Sequence, residues 1–341
     1  MSGLKRHAVF AGIAIAGAAH IFAAPPDVRI RLSTIAPQNS TWHNALTDMG
    51  AAWAKATDKR VTLTVFAGST DGGETKIVKS MRPDIGDNEA ALLMVAGLSE
   101  IDKAFSVFGM PFFYQSDEEA LYVQQKLTPV IAQRLAVKGY HLLNWGSGGW
   151  VQVFSRVPLK TLADVKNATM YTSNGDSAMV DWYRKNGFKV KALNANDIGP
   201  QLSSGAIDSV PIPPYAVLAL KLHQFGAKFM LDLHVAPLVG ATVITNVAWN
   251  KISADDQAKM TAAAMTMEAT LRTGASKQDD DSVKAMQVKG LTVTKLDAAN
   301  AGVFHTEAEK ALESMKGPIV PEDIYLLAVK ERDAFRKSKG K

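Results

Sequence analysis

The chain contains no cysteine in 341 residues. That absence excludes a disulfide framework, a cysteine nucleophile, a thiolate metal site and a lipid-bearing cysteine at a processing site. A chain without thiols folds safely in an oxidising compartment and takes its stability from its core. Catalytic signatures are missing as well. There is no His-Glu-x-x-His helix and no Walker loop, and in Trp145-Gly-Ser-Gly-Gly149 a tryptophan stands where a hydrolase elbow needs its first glycine. His43, His141, His223, His234 and His305 never fall at metal-ligand spacing. Basic residues are scattered, with no arginine-rich stripe, so the net charge of +5 does not mark a nucleic-acid surface. The chain therefore reads as a non-enzyme, with no cofactor motif, no metal site and no nucleic-acid partner.

What is present is the material of a soluble globular protein. Hydrophobic residues make up 47% of the chain and charged residues 21%, and the length suits two domains of ordinary size. Lys5 and Arg6 precede an uncharged run from Ala8 to Ala19 and a small-residue exit at Ala23-Ala24, the order of a secretory signal. The expectation is a signal peptide over residues 1–23, cleaved after Ala23, because an apolar run this short does not span a bilayer comfortably.

Val28-Arg-Ile-Arg-Leu32 and Val61-Thr-Leu-Thr-Val65 alternate as half-buried strands. Ala90–Ala96 is a continuous apolar run, as expected of a strand covered on both faces. Helices between these strands give a β-α-β-α-β rhythm and predict a mainly parallel sheet. The rhythm restarts after the Gly-rich segment at 146–149, with strands expected at 151–154, 169–172, 190–193 and 207–210. Ser253-Ala-Asp-Asp256 caps a helix over about 254–289, some 50 Å long at 1.5 Å per residue and long enough to cross two domains. The expected division is 24–146 plus 236–252 as domain I, and 147–235 plus 253–341 as domain II, with a ligand cleft between two α/β lobes. Asp279-Asp-Asp281 on the long helix reads as a solvated face, and the basic end from Arg332 to Lys341 as a solvated helix tail.

Candidate binding residues are aromatics and polar groups at predicted strand ends: Phe66, Trp145, Trp150, Tyr171 and Tyr215. Rings at such places offer contact area at small entropic cost, the alternative for each being core packing.

Several segments together resemble the DctP-type solute-binding proteins of TRAP (tripartite ATP-independent periplasmic) transporters. They are Leu32-Ser-Thr-Ile-Ala-Pro37 with Trp42, Phe66-Ala-Gly68, Gly97-Leu-Ser-Glu-Ile-Asp102, Met110-Pro-Phe-Phe113, Asn144-Trp-Gly146, Leu162-Ala-Asp-Val165, Gly205-Ala-Ile-Asp208 and Trp249-Asn-Lys-Ile252. The resemblance implies a bilobal periplasmic binding protein of type II-like fold with an interdomain helix. It also implies a monomeric receptor that closes over a small organic acid or related polar molecule and delivers it to membrane subunits. A ligand sensor docking on a membrane receptor is the alternative use of the same scaffold. One departure stands out. The family carries an arginine for the ligand carboxylate on the strand after Asp164-Val-Lys-Asn167, and here Tyr171 holds that place. The family's asparagine near the second crossover is also lost, within Pro211-Ile-Pro-Pro214. Tyr171 is then expected to donate its hydroxyl to the ligand, with Trp145, Trp150 and Trp42 as walls, and Asn174 and Asp176 in reach of a ligand hydroxyl or a bound cation.

Overall fold

The computed structural model describes residues 27–68, 73–82, 84–175 and 177–340. The leader expected over residues 1–23 and the candidate Asp176 lie outside the described residues. The strands are β1 (Val28–Thr34), β2 (Val61–Phe66), β3 (Ala90–Met94), β4 (Tyr140–Ser155), β5 (Met170–Ser173), β6 (Val190–Leu193), β7 (Ser209–Ile212), β8 (Phe229–Thr245) and β9 (Thr292–Lys295). Helices in the first half are α1 (Thr41–Ala56), α2 (Gly73–Ser80), α3 (Val95–Ile101), α4 (Asp117–Val137), α5 (Leu162–Asn167) and α6 (Ser177–Lys185). Those that follow are α7 (Ile198–Ser204), α8 (Pro214–Ala219), α9 (Asn246–Trp249), α10 (Ala254–Gln287), α11 (Ala298–Leu312) and α12 (Glu322–Ser338).

Among the described residues the strands join in one sheet, in the order β2-β1-β3-β8-β4-β7-β5-β6, with β9 also pairing on β8. The expected parallel pairing holds at the two ends, β2-β1-β3 and β7-β5-β6. The middle is antiparallel, because β4 and β8 run through both halves of the molecule in opposite directions. Where the Gly-rich segment at 146–149 suggested a loop between two strands, β4 continues unbroken for 16 residues. β8 changes its second neighbour along its 17 residues: its end at 240–244 pairs with β3, its start at 229–232 with β9. The two lobes are thus the two ends of a shared sheet.

Period-2 alternation divides the core of each lobe between the sheet faces. In the first lobe Ala90 and Leu92 join Ile30, Leu32 and Trp53 on one face, while Ala91 and Leu93 join Phe105, Phe108 and Leu127 on the other. In the second, Phe154 packs with Leu202, Val210 and Met230, and Val153 with Leu159, Val165 and Leu231.

α10 spans both lobes as its length predicted, capped by Ser253, whose hydroxyl accepts the Asp256 N–H. Its Met260, Ala264, Met267 and Leu271 enter the first lobe's core, and Met286 enters the second's. The chain after it does not stay with the second lobe as expected: α12 packs on α4, with Ile324, Tyr325 and Ala328 in the same cluster as Leu127 and Ile131. Nor is its basic end merely solvated. Arg336 binds the buried Glu119 carboxylate at 2.8 Å and the Phe113 carbonyl at 3.0 Å, and the Arg332 guanidinium lies over the Phe113 ring. Those basic residues have partners on α4 and its approach, which the sequence order does not reveal.

Candidate functional site

A cavity of about 340 Å³ opens between the lobes where β4 and β8 cross. The first lobe contributes Trp42, Glu74, Met94 and Ser106, and the second contributes Tyr171, Thr172, Tyr215 and Leu220. Val151, Pro237 and Leu238 of the crossing strands also line it.

Trp42 is held by an absence of side chains. Gly146 and Gly240 face each other across β4 and β8, and a Cβ on Gly146 would come within 2.6 Å of the Trp42 ring. A Cβ on Gly148 would meet the same ring at 3.0 Å, and one on Gly240 at 3.1 Å. The three glycines form a trough in which the indole lies almost wholly buried. A Cβ on Gly148 would also meet the Tyr215 hydroxyl at 3.2 Å, so α1 of the first lobe and α8 of the second come together at this trough. Burial and the nearby Asp279 carboxylate push the Tyr215 hydroxyl well above the usual tyrosine range.

Glu74, in the first turn of α2, is a buried carboxylate. Its oxygens accept the backbone N–H groups of Met94 at 2.6 Å and Gly97 at 2.9 Å, at the start of α3. Burial raises its pKa to about 7, against those two hydrogen bonds and with a further push from Glu100. Tyr171 projects from β5 across the cleft. Burial raises its hydroxyl pKa, with the Glu74 charge adding to the effect. A smaller neighbouring cavity of about 50 Å³ shares Glu74 and Tyr171 and adds Asn174, whose side-chain amide donates to Asn194 at 2.8 Å.

The structure thus brings together Trp42, Tyr171 and Tyr215 on the main cavity and Asn174 on its annexe. It places the other described candidates elsewhere. The Trp145 ring packs edge-on to Phe108 at 5.1 Å and donates its N–H to Thr128. Trp150 stacks on His234 and donates to Asp117 at 2.7 Å. Its neighbour Val151 lines the cavity, so strand alternation turns Trp150 to the opposite face. Phe66, at the end of the edge strand β2, is partly exposed beneath the Arg31 guanidinium.

Asp279 overturns the expectation of a solvated face. It is 7% exposed, and its carboxylate accepts the N–H of Trp150 on β4 at 3.2 Å and of Tyr215 on α8 at 3.1 Å. Gly149, at φ +78°, lies beside it, where a Cβ would strike the carboxylate at 1.9 Å. Burial raises the Asp279 pKa to about 6 despite those two hydrogen bonds, with Asp280 and Asp117 adding to the rise. The signal for it was available. Asp279 continues the 3–4 residue spacing of Met260, Ala264, Met267, Leu271 and Ala275, the buried stripe of α10. Glu74 carried a weaker signal, as an acid in the first helical turn after a Gly-bearing loop at a strand end.

Residues 32–317 match the family model described as bacterial extracellular solute-binding protein, family 7 (DctP). The chain belongs to that family of solute-binding proteins. A solute-binding protein of Roseobacter denitrificans is 22% identical over 290 residues, covering 84% of this chain and 86% of the relative. Among solved structures, a TRAP periplasmic solute-binding protein of Desulfovibrio salexigens with bound orotic acid superposes with a TM-score of 0.81 at 15% identity, over 90% of this chain and 99% of that one. One from Haemophilus influenzae with bound L-gulonate gives 0.80 at 20% identity, over the same shares. Among the described residues no helix is long and apolar enough to cross a membrane.

Proposed function

We propose that this chain is the periplasmic receptor of a TRAP transporter, capturing a small organic acid or related polar molecule between its lobes and delivering it to the membrane subunits. The observation that carries this reading is the cavity at the lobe junction, walled by Trp42 of the first lobe and by Tyr171 and Tyr215 of the second. Its volume falls in the range of small-molecule sites. The bound orotic acid and L-gulonate of the structural relatives support an organic solute. A ligand that touches both walls binds the closed form better than an open one, and that difference in affinity drives closure. The protein acts by binding alone, as a monomer freed of its leader, and catalyses nothing.

A thermal-shift screen of the mature protein, stripped of carried-over solute, tests the proposal against small carboxylates, aromatic acids, amides and amines. A compound at about 100 times its dissociation constant adds roughly 2.7 kcal/mol of stability. At least one class is expected to raise the unfolding midpoint and to lower the radius of gyration in scattering. No shift with any class would sink the receptor reading.

A further inference from the structure

The cavity has an unusual charge inventory for a site expected to hold an acid. Among the described residues lining it there is no Lys, Arg or His, and Glu74 is its single charged side chain. A buried carboxylate ligand needs a cation or several N–H donors to replace its water. Four positions of its wall also supply no backbone donor, because Pro37, Pro211, Pro213 and Pro237 line the cavity and proline has no N–H. The remaining polar groups are hydroxyls, chiefly those of Tyr171, Tyr215, Ser106 and Thr172.

Glu74 is built into this wall rather than draped on it. Met94 and Gly97 fix both of its oxygens from the start of α3, and Gly97 leaves the space it fills, since a Cβ there would come within 2.8 Å of the Glu74 side chain. A carboxylate has about four acceptor positions, so two remain after those hydrogen bonds. Trp42, Tyr171 and Tyr215 supply aromatic surface around the same space, which suits an apolar body and, face-on, a cation.

We infer that the solute of this receptor is not an anion: it is an amine or amide with an apolar body, whose N–H groups donate to Glu74. This rests on the receptor reading and narrows it to the non-acid branch. A carboxylate in the same place would meet a like charge with no cation to offset it, while an ammonium or amide group finds an acceptor already oriented.

The test uses three probes on one carbon frame, 3-phenylpropylamine, 3-phenylpropanamide and 3-phenylpropanoate, measured with the stripped mature protein at pH 8. The amine and the amide are expected to raise the unfolding midpoint, with the acid binding at least tenfold more weakly. Any hit from the wider screen is ranked in the same way, as acid against its own amide. An acid that binds as tightly as its amide overturns the inference and leaves the receptor reading standing; no stabilisation by any compound removes both. Glu74→Gln sharpens the assignment. Amine affinity should fall at least tenfold and amide affinity much less, whereas damage to the fold alone would lower both equally, and that equal loss would remove Glu74 from the role.

Discussion

Between Met260 and Leu271 the long helix α10 gives the first lobe an apolar stripe. Between Ala275 and Met286 the same stripe carries an aspartate and a serine. Met260, Ala264, Met267 and Leu271 sit in a shared core with Trp53 and Leu46 of α1, where burying each large side chain contributes roughly 1.5–3 kcal/mol. The second half reaches β4 and α8 through the two N–H groups that Asp279 accepts. Apolar burial is strong and indifferent to small rotations, while a carboxylate bridging two backbone N–H groups is directional. The helix is therefore anchored by apolar packing at both ends, most heavily in the first lobe and through Met286 in the second, while its grip on the crossing is a contact with a defined angle. On the receptor reading proposed above, the second kind of contact is where the clamp would yield.

Truncating the strong half should have the largest effect. Leu271→Ala is expected to lower stability by about 3 kcal/mol in denaturant unfolding, with solute affinity nearly unchanged, since Leu271 is buried but does not line the cavity. Asp279→Asn comes next, at roughly 1–2 kcal/mol, because an amide can accept only one of the two N–H groups at its carbonyl and sets its own donors against the other. This variant also has a pH signature. The Asp279 carboxyl titrates near pH 6 in the folded protein, above its ordinary value, so its contribution is fully present at low pH and is lost as pH rises through that window. The slope of midpoint against pH between about 4 and 6 should flatten in Asp279→Asn; an unchanged slope would mean that the carboxyl titrates normally.

Smaller effects belong to the cleft walls. Tyr215→Phe removes a hydroxyl that lies on the cavity beside the Trp42 ring, a loss of about 1 kcal/mol that should weaken solute affinity roughly fivefold. Affinity equal to that of the wild type would show that binding does not use this hydroxyl. Tyr171→Phe should cost a similar factor or less, confined to solutes that accept the hydroxyl hydrogen bond. If calorimetry finds the same affinity for every solute, Tyr171 is a wall and not a donor.

The readable parts of the sequence were those governed by local periodicity. The alternation in Val28–Leu32 and the capped helix α10 form as their patterns predict, and the apolar run at 90–96 gives a strand that stops at Met94, where α3 begins. What alternation cannot tell is which of two buried faces is the cleft. Trp150 and Val151 are adjacent on β4, and the larger, more conspicuous residue went to the core while the valine lines the cavity. Trp42 was a candidate through the family resemblance, while its helix face alone reads as core, and the pairing of Gly146 with Gly240 across two distant strands opens the trough that holds it at the site. Asp279 was hidden differently, by two neighbouring aspartates that made a buried position look like part of a charged run. The positions of α12 and Arg336 depend on a long-range return of the chain to α4, for which local pattern holds no information.

The route of the chain has a bearing on synthesis. The first lobe opens with β1, β2 and β3, yet its sheet awaits residues 240–244 of β8, and α4 lacks its neighbour α12 until 322–338. A nascent chain carrying only the first 139 residues has three strands and an unpaired edge, with no way to complete that lobe from what has been made. Completion of the first lobe therefore depends on segments made late in synthesis, β8 and then α12.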